Sequence, residues 1–300
     1  MIYTVTFSPA IDYVIDLNDL KIGEINRTKK EHMMPGGKGI NVSLVLNNLG
    51  SKNIATGFIG GFTGQYVKDQ LNNKGIDTDF VEVEGLTRIN VKIRDNVETA
   101  INGQGPSISK EKVDELINKL KLLKDNDTLV ISGTVASTLP SNIYEIILEN
   151  LKDKKLNLII DSNKEILLNT LKYSPLLVKP NKEELEEMFN VKITNNNELI
   201  ENANKLIKLG ARNVIVSLGG DGALLVTQDN HLLLPAPKGK VVNTVGAGDS
   251  LVAGFIDEYN KSHDLVKAFK QGIATGSASA FSEDLATKEE VEQLLKSIKQ

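Results

Sequence analysis

Short apolar segments of strand length alternate with helical patterns along most of this 300-residue chain, and this alternation restricts the fold more than any other feature. We predict strands at residues 2–7, 53–59, 128–132, 156–161, 176–179 and 213–217. Helical patterns lie between them at residues 40–49, 66–71, 109–123, 141–151, 182–189 and 197–209. Strands that are regularly separated by helices predict an α/β fold, with a mainly parallel sheet covered on both faces.

Two stretches interrupt the alternation. Residues 13–34 are polar and contain no good helix pattern, and residues 78–101 alternate apolar and polar side chains. Such alternation is typical of strands with one solvated face. We therefore expect a small antiparallel sheet that projects from the main domain. From about Gly248 the chain is mostly helical, and residues 288–299 form a final amphipathic helix pattern.

The charge and cysteine counts exclude several classes of function. With 35 Lys and Arg against 39 Asp and Glu, the chain has no excess positive charge to displace counterions from nucleic acid. Cysteine is absent, and the three histidines (His32, His231 and His263) are widely spaced, which argues against thiolate chemistry and multi-histidine metal sites. No signal peptide and no apolar stretch of about 20 residues is visible, so we expect a cytoplasmic protein without a membrane partner.

The strongest local signal is Asn243-Thr-Val-Gly-Ala-Gly-Asp-Ser250, which precedes an apolar helical pattern. Gly246, Ala247 and Gly248 leave backbone N–H groups uncovered at a helix N-terminus, where the helix dipole also favours an anion. Asp249 follows at once and could act as a general base on an incoming hydroxyl, while the turn stabilises a transferring phosphoryl group. The alternative is that Asp249 only caps the helix.

A second glycine cluster, Gly36-Gly-Lys-Gly-Ile-Asn41, also precedes a helix. Alone it is a weak signal, because glycine-rich turns before helices are common and mostly structural. Neither cluster has the spacing of a P-loop or of a dinucleotide-binding fingerprint. Asn41 and Asp12 are short polar residues near helix and strand ends, where they could bind sugar hydroxyls or serve as cap and turn residues.

Two further motifs lie in the second half of the chain. Ser217-Leu-Gly-Gly-Asp-Gly222 separates two strands, and its simplest interpretation is a β-hairpin turn. Lys179-Pro-Asn-Lys-Glu-Glu184 leads from a strand into a helix, with Asn181 as N-cap and Glu184 at the capping-box position. The same two side chains could share a hydrated magnesium ion.

These four motifs, in this order, resemble the ribokinase-like (PfkB) family of sugar kinases over nearly the whole chain. The resemblance implies one three-layer α/β/α domain over residues 1–300, with a β lid formed by residues 12–35 and 78–102, approximately, and homodimers joined through the lid. It implies ATP-dependent, magnesium-assisted phosphorylation of a sugar phosphate. The most similar subgroup phosphorylates fructose 1-phosphate at the 6-hydroxyl, and neighbouring subgroups act on tagatose 6-phosphate or fructose 6-phosphate.

The resemblance also implies roles for individual residues. Asp249 matches the catalytic base, and the backbone amides of Gly246, Ala247, Gly248 and Asp249 match the anion hole. Sugar-phosphate positions are matched by Asp12, Arg27, Gly37, Lys38, Asn41 and Arg88. Nucleotide positions are matched by Lys179, Asn181, Glu184, Ser217, Gly219, Gly220, Asp221, Gly222 and Gly248, with Asn181 and Glu184 holding magnesium through water.

Three segments depart from the family pattern. Ser8 stands in place of an asparagine, residues 132–140 replace a shorter pattern, and residues 283–285 replace a Gly-Leu pair. None of them removes a catalytic group. A non-catalytic sugar-phosphate sensor with the same fold is the alternative from another class, but the intact Asp249 and its glycine turn argue against it.

Overall fold

The computed structural model describes residues 1–95, 97–136 and 138–298. Its strands are β1 (Ile2–Thr6), β2 (Ala10–Asp16), β3 (Lys30–Gly36), β4 (Asn53–Ile59), β5 (Asp77–Thr78), β6 (Val81–Glu82), β7 (Arg88–Arg94), β8 (Thr99–Asn102), β9 (Thr128–Ser132), β10 (Asn157–Asp161), β11 (Leu177–Val178), β12 (Asn213–Ser217), β13 (Ala223–Thr227) and β14 (His231–Leu234). Its helices are α1 (Lys38–Asn48), α2 (Gly61–Asn73), α3 (Lys110–Leu120), α4 (Ile143–Leu151), α5 (Lys164–Thr170), α6 (Lys182–Phe189), α7 (Asn196–Lys208), α8 (Ala247–Ser262), α9 (Leu265–Phe281) and α10 (Lys288–Leu295).

The central sheet has the strand order β14-β13-β12-β11-β10-β9-β1-β4-β5, with β6 paired to β4. The pairs from β12 to β5 are parallel, whereas β13 and β14 are added antiparallel. Both faces are buried: along β9, Leu129 and Ile131 belong to one apolar cluster and Val130 belongs to the other. Near-continuous apolar sequence is what a parallel strand between two helix layers requires. The predicted three-layer arrangement is confirmed.

The lid is a separate four-stranded sheet with the order β3-β2-β7-β8. Its outer pairs are antiparallel, as predicted, but its central pair of β2 with β7 is parallel. Alternation of apolar and polar residues does not distinguish the two directions, because side chains alternate between faces in both.

One boundary of the lid was predicted wrongly. β5 and β6 pair with β4 of the central sheet, so the second lid segment begins at Arg88 rather than near residue 78. Phe80 and Val81 are buried in the main core, and this burial decides which sheet the segment joins. Asn96 of the predicted lid segment and residue 299 of the predicted final helix lie outside the described residues.

The carboxyl ends of the parallel strands meet at one edge of the central sheet. Asp161 ends β10 there, and Lys179 directly follows β11. Ligand sites of open α/β sheets lie at this edge. Within the described residues, no helix has the length and apolar character needed to cross a membrane.

Candidate active site

Asp249 lies in the first turn of α8, and its carboxylate is held by a residue of another helix. The side chain is buried, and its Oδ2 accepts a hydrogen bond of 2.8 Å from Nδ2 of Asn41. Among the described residues no backbone N–H donates to this carboxylate. Asp249 is therefore not the cap of α8, and the alternative that it serves only as a cap does not describe the structure.

The turn before Asp249 presents unused backbone donors. We call residues 246–249 the amide turn. Among the described residues, the N–H groups of Gly246, Gly248 and Asp249 find no acceptor, whereas Ala247 donates to the Thr244 carbonyl at 3.2 Å. Gly246 has a φ of 79°, a left-handed conformation suited to glycine. Three of the four predicted amides are thus available to an anion at the positive end of α8.

The surroundings of Asp249 make it more basic than an ordinary carboxylate. Burial raises the pKa of Asp249 to about 6, and the negative charge of Asp161 adds to this effect. The hydrogen bond from Asn41 and the charges of Lys38 and Lys179 act in the opposite direction. A carboxylate with this pKa is ionised at neutral pH and is suited to general-base catalysis.

Asp161 is a central residue of the site that sequence reasoning missed. It is 1% exposed, and its carboxylate lies 3.4 Å from Nζ of Lys38 and 3.5 Å from Nζ of Lys179. Burial lowers the pKa of Lys38, but the charges of Asp161, Asp249 and Glu184 outweigh burial and raise it overall. The sequence signal for Asp161 was its position directly after the apolar residues of a predicted parallel strand, where ligand sites of α/β sheets lie.

Lys179 reaches the amide turn from β11. It is 6% exposed, and a Cβ atom added to Gly248 would lie 3.3 Å from its Nζ. Lys38 occupies the first position of α1, after Gly37 with a φ of 119°. The structure therefore brings Lys38, Lys179 and the amide turn together around Asp249. Lys38 points inward to Asp161 and is not simply a solvated lysine.

The inner face of the lid carries a second polar cluster. Asp12 accepts hydrogen bonds from Nδ2 of Asn90 at 2.8 Å and from Nζ of Lys92 at 3.0 Å. Gly36 leaves room for this carboxylate, because an added Cβ would lie 2.6 Å from Cγ of Asp12. Asn90 and Lys92 were not predicted as site residues, although their positions two apart along β7 place them on one face.

Arg88 begins β7, on the same face of the lid as Asn90. Its Nε donates to the Ser8 carbonyl at 3.3 Å, and burial lowers the pKa of its guanidinium while Asp12 opposes the shift. The contact with Ser8 uses a backbone oxygen, so it does not depend on the unusual side chain there. Arg27, which is also predicted to contact the sugar phosphate, is brought neither to this cluster nor to the one around Asp249. It is exposed between β2 and β3, without a hydrogen bond or ion pair to a described residue.

Among the residues predicted to bind the nucleotide, Asn181 and Glu184 form the predicted capping box. Oδ1 of Asn181 accepts from the Glu184 amide at 2.7 Å, and Oε2 of Glu184 accepts from the Asn181 amide at 2.8 Å. Asn181 also forms an isolated β-bridge with Ser217. Asn181 and Ser217 line a cleft of about 740 Å³, together with residues that include Gly219 and Asp221.

The glycines after Ser217 differ in the space that a side chain would find at each position. Gly222 ends the turn between β12 and β13 with a φ of 105°, and a Cβ atom on it would also lie 2.0 Å from the Leu234 carbonyl oxygen of β14, so this position requires glycine. Gly219 (φ 58°) and Gly220 would meet no atom within 4 Å. The simple hairpin interpretation therefore accounts for Gly222, while Gly219 and Gly220 border open space.

The segments that depart from the family pattern lie around the site. Leu285 packs against the amide turn, since a Cβ atom on Gly246 would lie 2.9 Å from its Cδ2. The Gly133 carbonyl accepts hydrogen bonds from the Tyr144 hydroxyl at 2.8 Å and from the Ser162 hydroxyl at 3.3 Å. Ser137, in the same segment as Gly133, lies outside the described residues.

Comparison with known proteins identifies the family of this chain. The family description "pfkB family carbohydrate kinase" matches residues 5–291. The chain belongs to the pfkB family. It is 46% identical to 1-phosphofructokinase of Bacillus subtilis (strain 168), over 100% of this chain and 99% of the relative. It is 40% identical to D-tagatose-1-phosphate kinase of Bacillus licheniformis, over 98% and 97% of the two chains.

Solved structures agree with the pfkB assignment. A Staphylococcus aureus protein proposed to be a phosphofructokinase superposes with a TM-score of 0.92 at 43% identity, over 100% of this chain and 98% of the other. Ribokinase from Thermotoga maritima superposes with a TM-score of 0.79 at 26% identity, over 99% of each chain. The predicted ribokinase-like fold and carbohydrate-kinase family are confirmed.

Proposed function

We propose that this pfkB protein is a 1-phosphofructokinase. It transfers the γ-phosphoryl group of ATP to the 6-hydroxyl of fructose 1-phosphate and releases fructose 1,6-bisphosphate and ADP. The observation that carries the proposal is the buried Asp249 carboxylate beside three unused amides, with Lys38 and Lys179 within reach of the same space. The full-length similarity to a relative of that name supports the choice of sugar phosphate.

In the proposed reaction Asp249 takes the proton of the 6-hydroxyl as this oxygen bonds to the γ-phosphorus. The bond from the γ-phosphorus to the bridging oxygen breaks, and ADP leaves with its electron pair. The N–H groups of Gly246, Gly248 and Asp249 face the charge on the transferring group, where the helix dipole adds to their effect. Positioning and electrostatic stabilisation are the main contributions a protein makes to phosphoryl transfer.

Magnesium is the metal that this reaction would use. One oxygen of Glu184 is engaged in the capping box. Within the described part of the chain Oε1 accepts no hydrogen bond, so it is available to the water shell of a hydrated ion. Mg²⁺ usually keeps several waters and is held by one or two carboxylates and the substrate phosphates, so a single free carboxylate oxygen fits. Bound there, the ion would neutralise phosphate charge. Asn181 Oδ1 is engaged in the same capping box, so its part in metal binding stays a prediction.

We propose that the sugar phosphate lies between the lid and the carboxyl edge of the central sheet. Asp12 would accept from sugar hydroxyls, and Arg88 would bind the phosphate already on the sugar through its planar guanidinium. The burial that lowers the pKa of Arg88 also strengthens its attraction for an anion, since screening by water is reduced.

The lid also supports a homodimer. A row of apolar and aromatic side chains crosses its outer face in register, from Met33 through Tyr13 and Val91 to Ile101. Met33 is 50% exposed and Ile101 is 57% exposed. A second copy of the lid would remove this row from water.

The cytoplasmic location stays a prediction from the sequence.

D-tagatose 1-phosphate is a second candidate substrate, because the chain is similar over its full length to a kinase of that name. The two sugars differ only in the configuration at carbon 4. One ATP-coupled assay should therefore compare the 1-phosphates and the 6-phosphates of fructose and tagatose. We expect the highest kcat/KM with fructose 1-phosphate. A preference for another sugar would reject the proposed substrate, and the absence of ADP formation with all four would reject the kinase function.

A further inference from the structure

We propose that Asp161 is a positioning residue, whose one buried carboxylate aims the ammonium groups of Lys38 and Lys179 at the space in front of the amide turn. The proposal rests on the kinase function proposed above. It is carried by the geometry of three side chains that come from three different elements of the fold, β10, the N-terminus of α1 and the end of β11.

The location of Asp161 explains how one carboxylate reaches both lysines. β10 lies between β9 and β11, so Asp161 lies beside Lys179, which follows β11, and beside Gly133, which follows β9. A Cβ atom on Gly133 would lie 3.7 Å from Cβ of Lys38, so this side of Asp161 faces the start of α1. The backbone carbonyl of Asp161 accepts from the Gly133 amide at 3.0 Å, which fixes this strand end. A rigid strand end is a more exact support for functional groups than a loop.

The distances show that Asp161 orients the lysines without using all their donors. The pairs at 3.4 and 3.5 Å are longer than the roughly 2.7–2.9 Å of a tight charge-assisted hydrogen bond. An ammonium group has three donors. Each lysine therefore keeps N–H groups for phosphate oxygens. A buried carboxylate without these partners would be costly, so Asp161 and the lysines hold one another in place.

The arrangement also extends to the base. Lys38 and Asn41 are three residues apart on α1 and therefore on neighbouring positions of one face. Anchoring Lys38 to Asp161 fixes the turn from which Asn41 reaches Asp249. The groups that act on Asp249 are Asp161 from β10, Lys179 from the end of β11, and Lys38 and Asn41 from α1.

The first test replaces the charge at constant size with Asp161→Asn. We expect kcat to fall by roughly 10- to 100-fold, because a displacement of reacting or binding groups by about 1 Å reduces the rate on this scale. We also expect the acid limb of the pH profile of kcat to move to lower pH, because a like charge that raises the pKa of Asp249 is gone. Asp257→Asn is the matched control: Asp257 is 2% exposed, and its partners among the described residues are Ser51, Lys261 and Gln271, none of which belongs to the site. It should leave the acid limb unchanged.

A second measurement needs no catalysis. Acylation of lysines by acetic anhydride in the free protein, followed by mass spectrometry, reports the neutral amine fraction of each side chain. Lys38 should react faster in Asp161→Asn than in the wild type, with exposed Lys240 as the internal reference. Since no substrate is present, this result does not depend on which sugar the enzyme uses, or on whether it is a kinase.

Lys38→Met removes the lysine partner of the same ion pair. This variant provides the test if Asp161→Asn does not fold. Lys38 lowers the pKa of Asp249, so its removal should move the acid limb to higher pH, opposite to the effect of Asp161→Asn. Unchanged Lys38 reactivity in Asp161→Asn, an acid limb that does not move, or a defect confined to the Mg²⁺ requirement would overturn the proposal. The last outcome would assign the carboxylate to metal binding.

Discussion

The side-chain amide of Asn41 donates a 2.8 Å hydrogen bond to the carboxylate of Asp249, across 208 positions of the sequence. It joins the first turns of α1 and α8, which carry the two glycine motifs. The bond orients the carboxylate and stabilises its ionised form, because an N–H donor favours a charged acceptor. Two motifs that are weak or ambiguous in sequence thus become parts of one site.

Replacement of the base should remove activity without unfolding the protein. Asp249→Asn keeps the size of the side chain but cannot take a proton, so we expect kcat to fall by about 10²-fold or more. Steady-state kinetics at saturating substrates measures this effect, with circular dichroism to verify the fold. Near-normal turnover in a folded variant would show that another group is the base.

The same substitution should stabilise the protein in a pH-dependent way. The pKa of Asp249 is raised from 3.8 to about 6 on folding. A raised carboxyl pKa favours the folded state below pH 3.8, and this contribution is lost as the pH rises towards 6. At neutral pH the buried charge therefore costs of the order of 1–3 kcal/mol.

Urea unfolding at pH 7 and at pH 3.5 tests this linkage. Asp249→Asn should have the larger free energy of unfolding at the higher pH and a value near that of the wild type at the lower pH. An equal difference at both values would attribute the effect to packing rather than to charge.

Loss of the Asn41 donor should make the base titrate at higher pH. The hydrogen bond from Asn41 lowers the pKa of Asp249, so Asn41→Ala should raise this pKa above about 6. The acid limb of kcat against pH should move upward accordingly. Asn47→Ala is the matched control on α1, because Asn47 donates to the Lys74 carbonyl at the surface. If the acid limb stays at the same pH in both variants, Asn41 does not affect the titration of Asp249.

Arg88 should act on the sugar phosphate rather than on ATP. Arg88→Ala should raise the KM for the sugar phosphate at least tenfold, since a charge-assisted contact contributes about 1.5–3 kcal/mol. The KM for ATP should change little. Arg94→Ala is the control on the same strand, because Arg94 pairs with exposed Glu98. Equal increases in both KM values would argue against the proposed role of Arg88.

Disruption of the outer face of the lid should yield monomers. Ile101→Glu places a charge in the apolar row that would be buried between two lids, and analytical ultracentrifugation would then report a single chain. Leu122→Glu is the control, because Leu122 is 78% exposed beside α3 and away from the lid. A wild-type protein that sediments as a monomer would reject the dimer.

The elements of the central sheet were predictable because their signals are local. Buried strands and capping residues follow from nearby residues, as the predicted capping box of Asn181 and Glu184 shows. Asp161 was not predictable in this way, since its importance depends on β10 lying between β9 and β11. The same holds for Val81, whose pairing with β4 follows from burial in the main core rather than from its alternating sequence.

Only one residue, Gly37, separates lid strand β3 from the helix that carries Lys38 and Asn41. β3 ends at Gly36, and α1 begins at Lys38. A lid that moves against the main domain therefore pulls directly on the first turn of α1, with no loop to absorb the displacement. Any displacement of β3 would therefore also displace Asn41, whose side chain holds the carboxylate of Asp249.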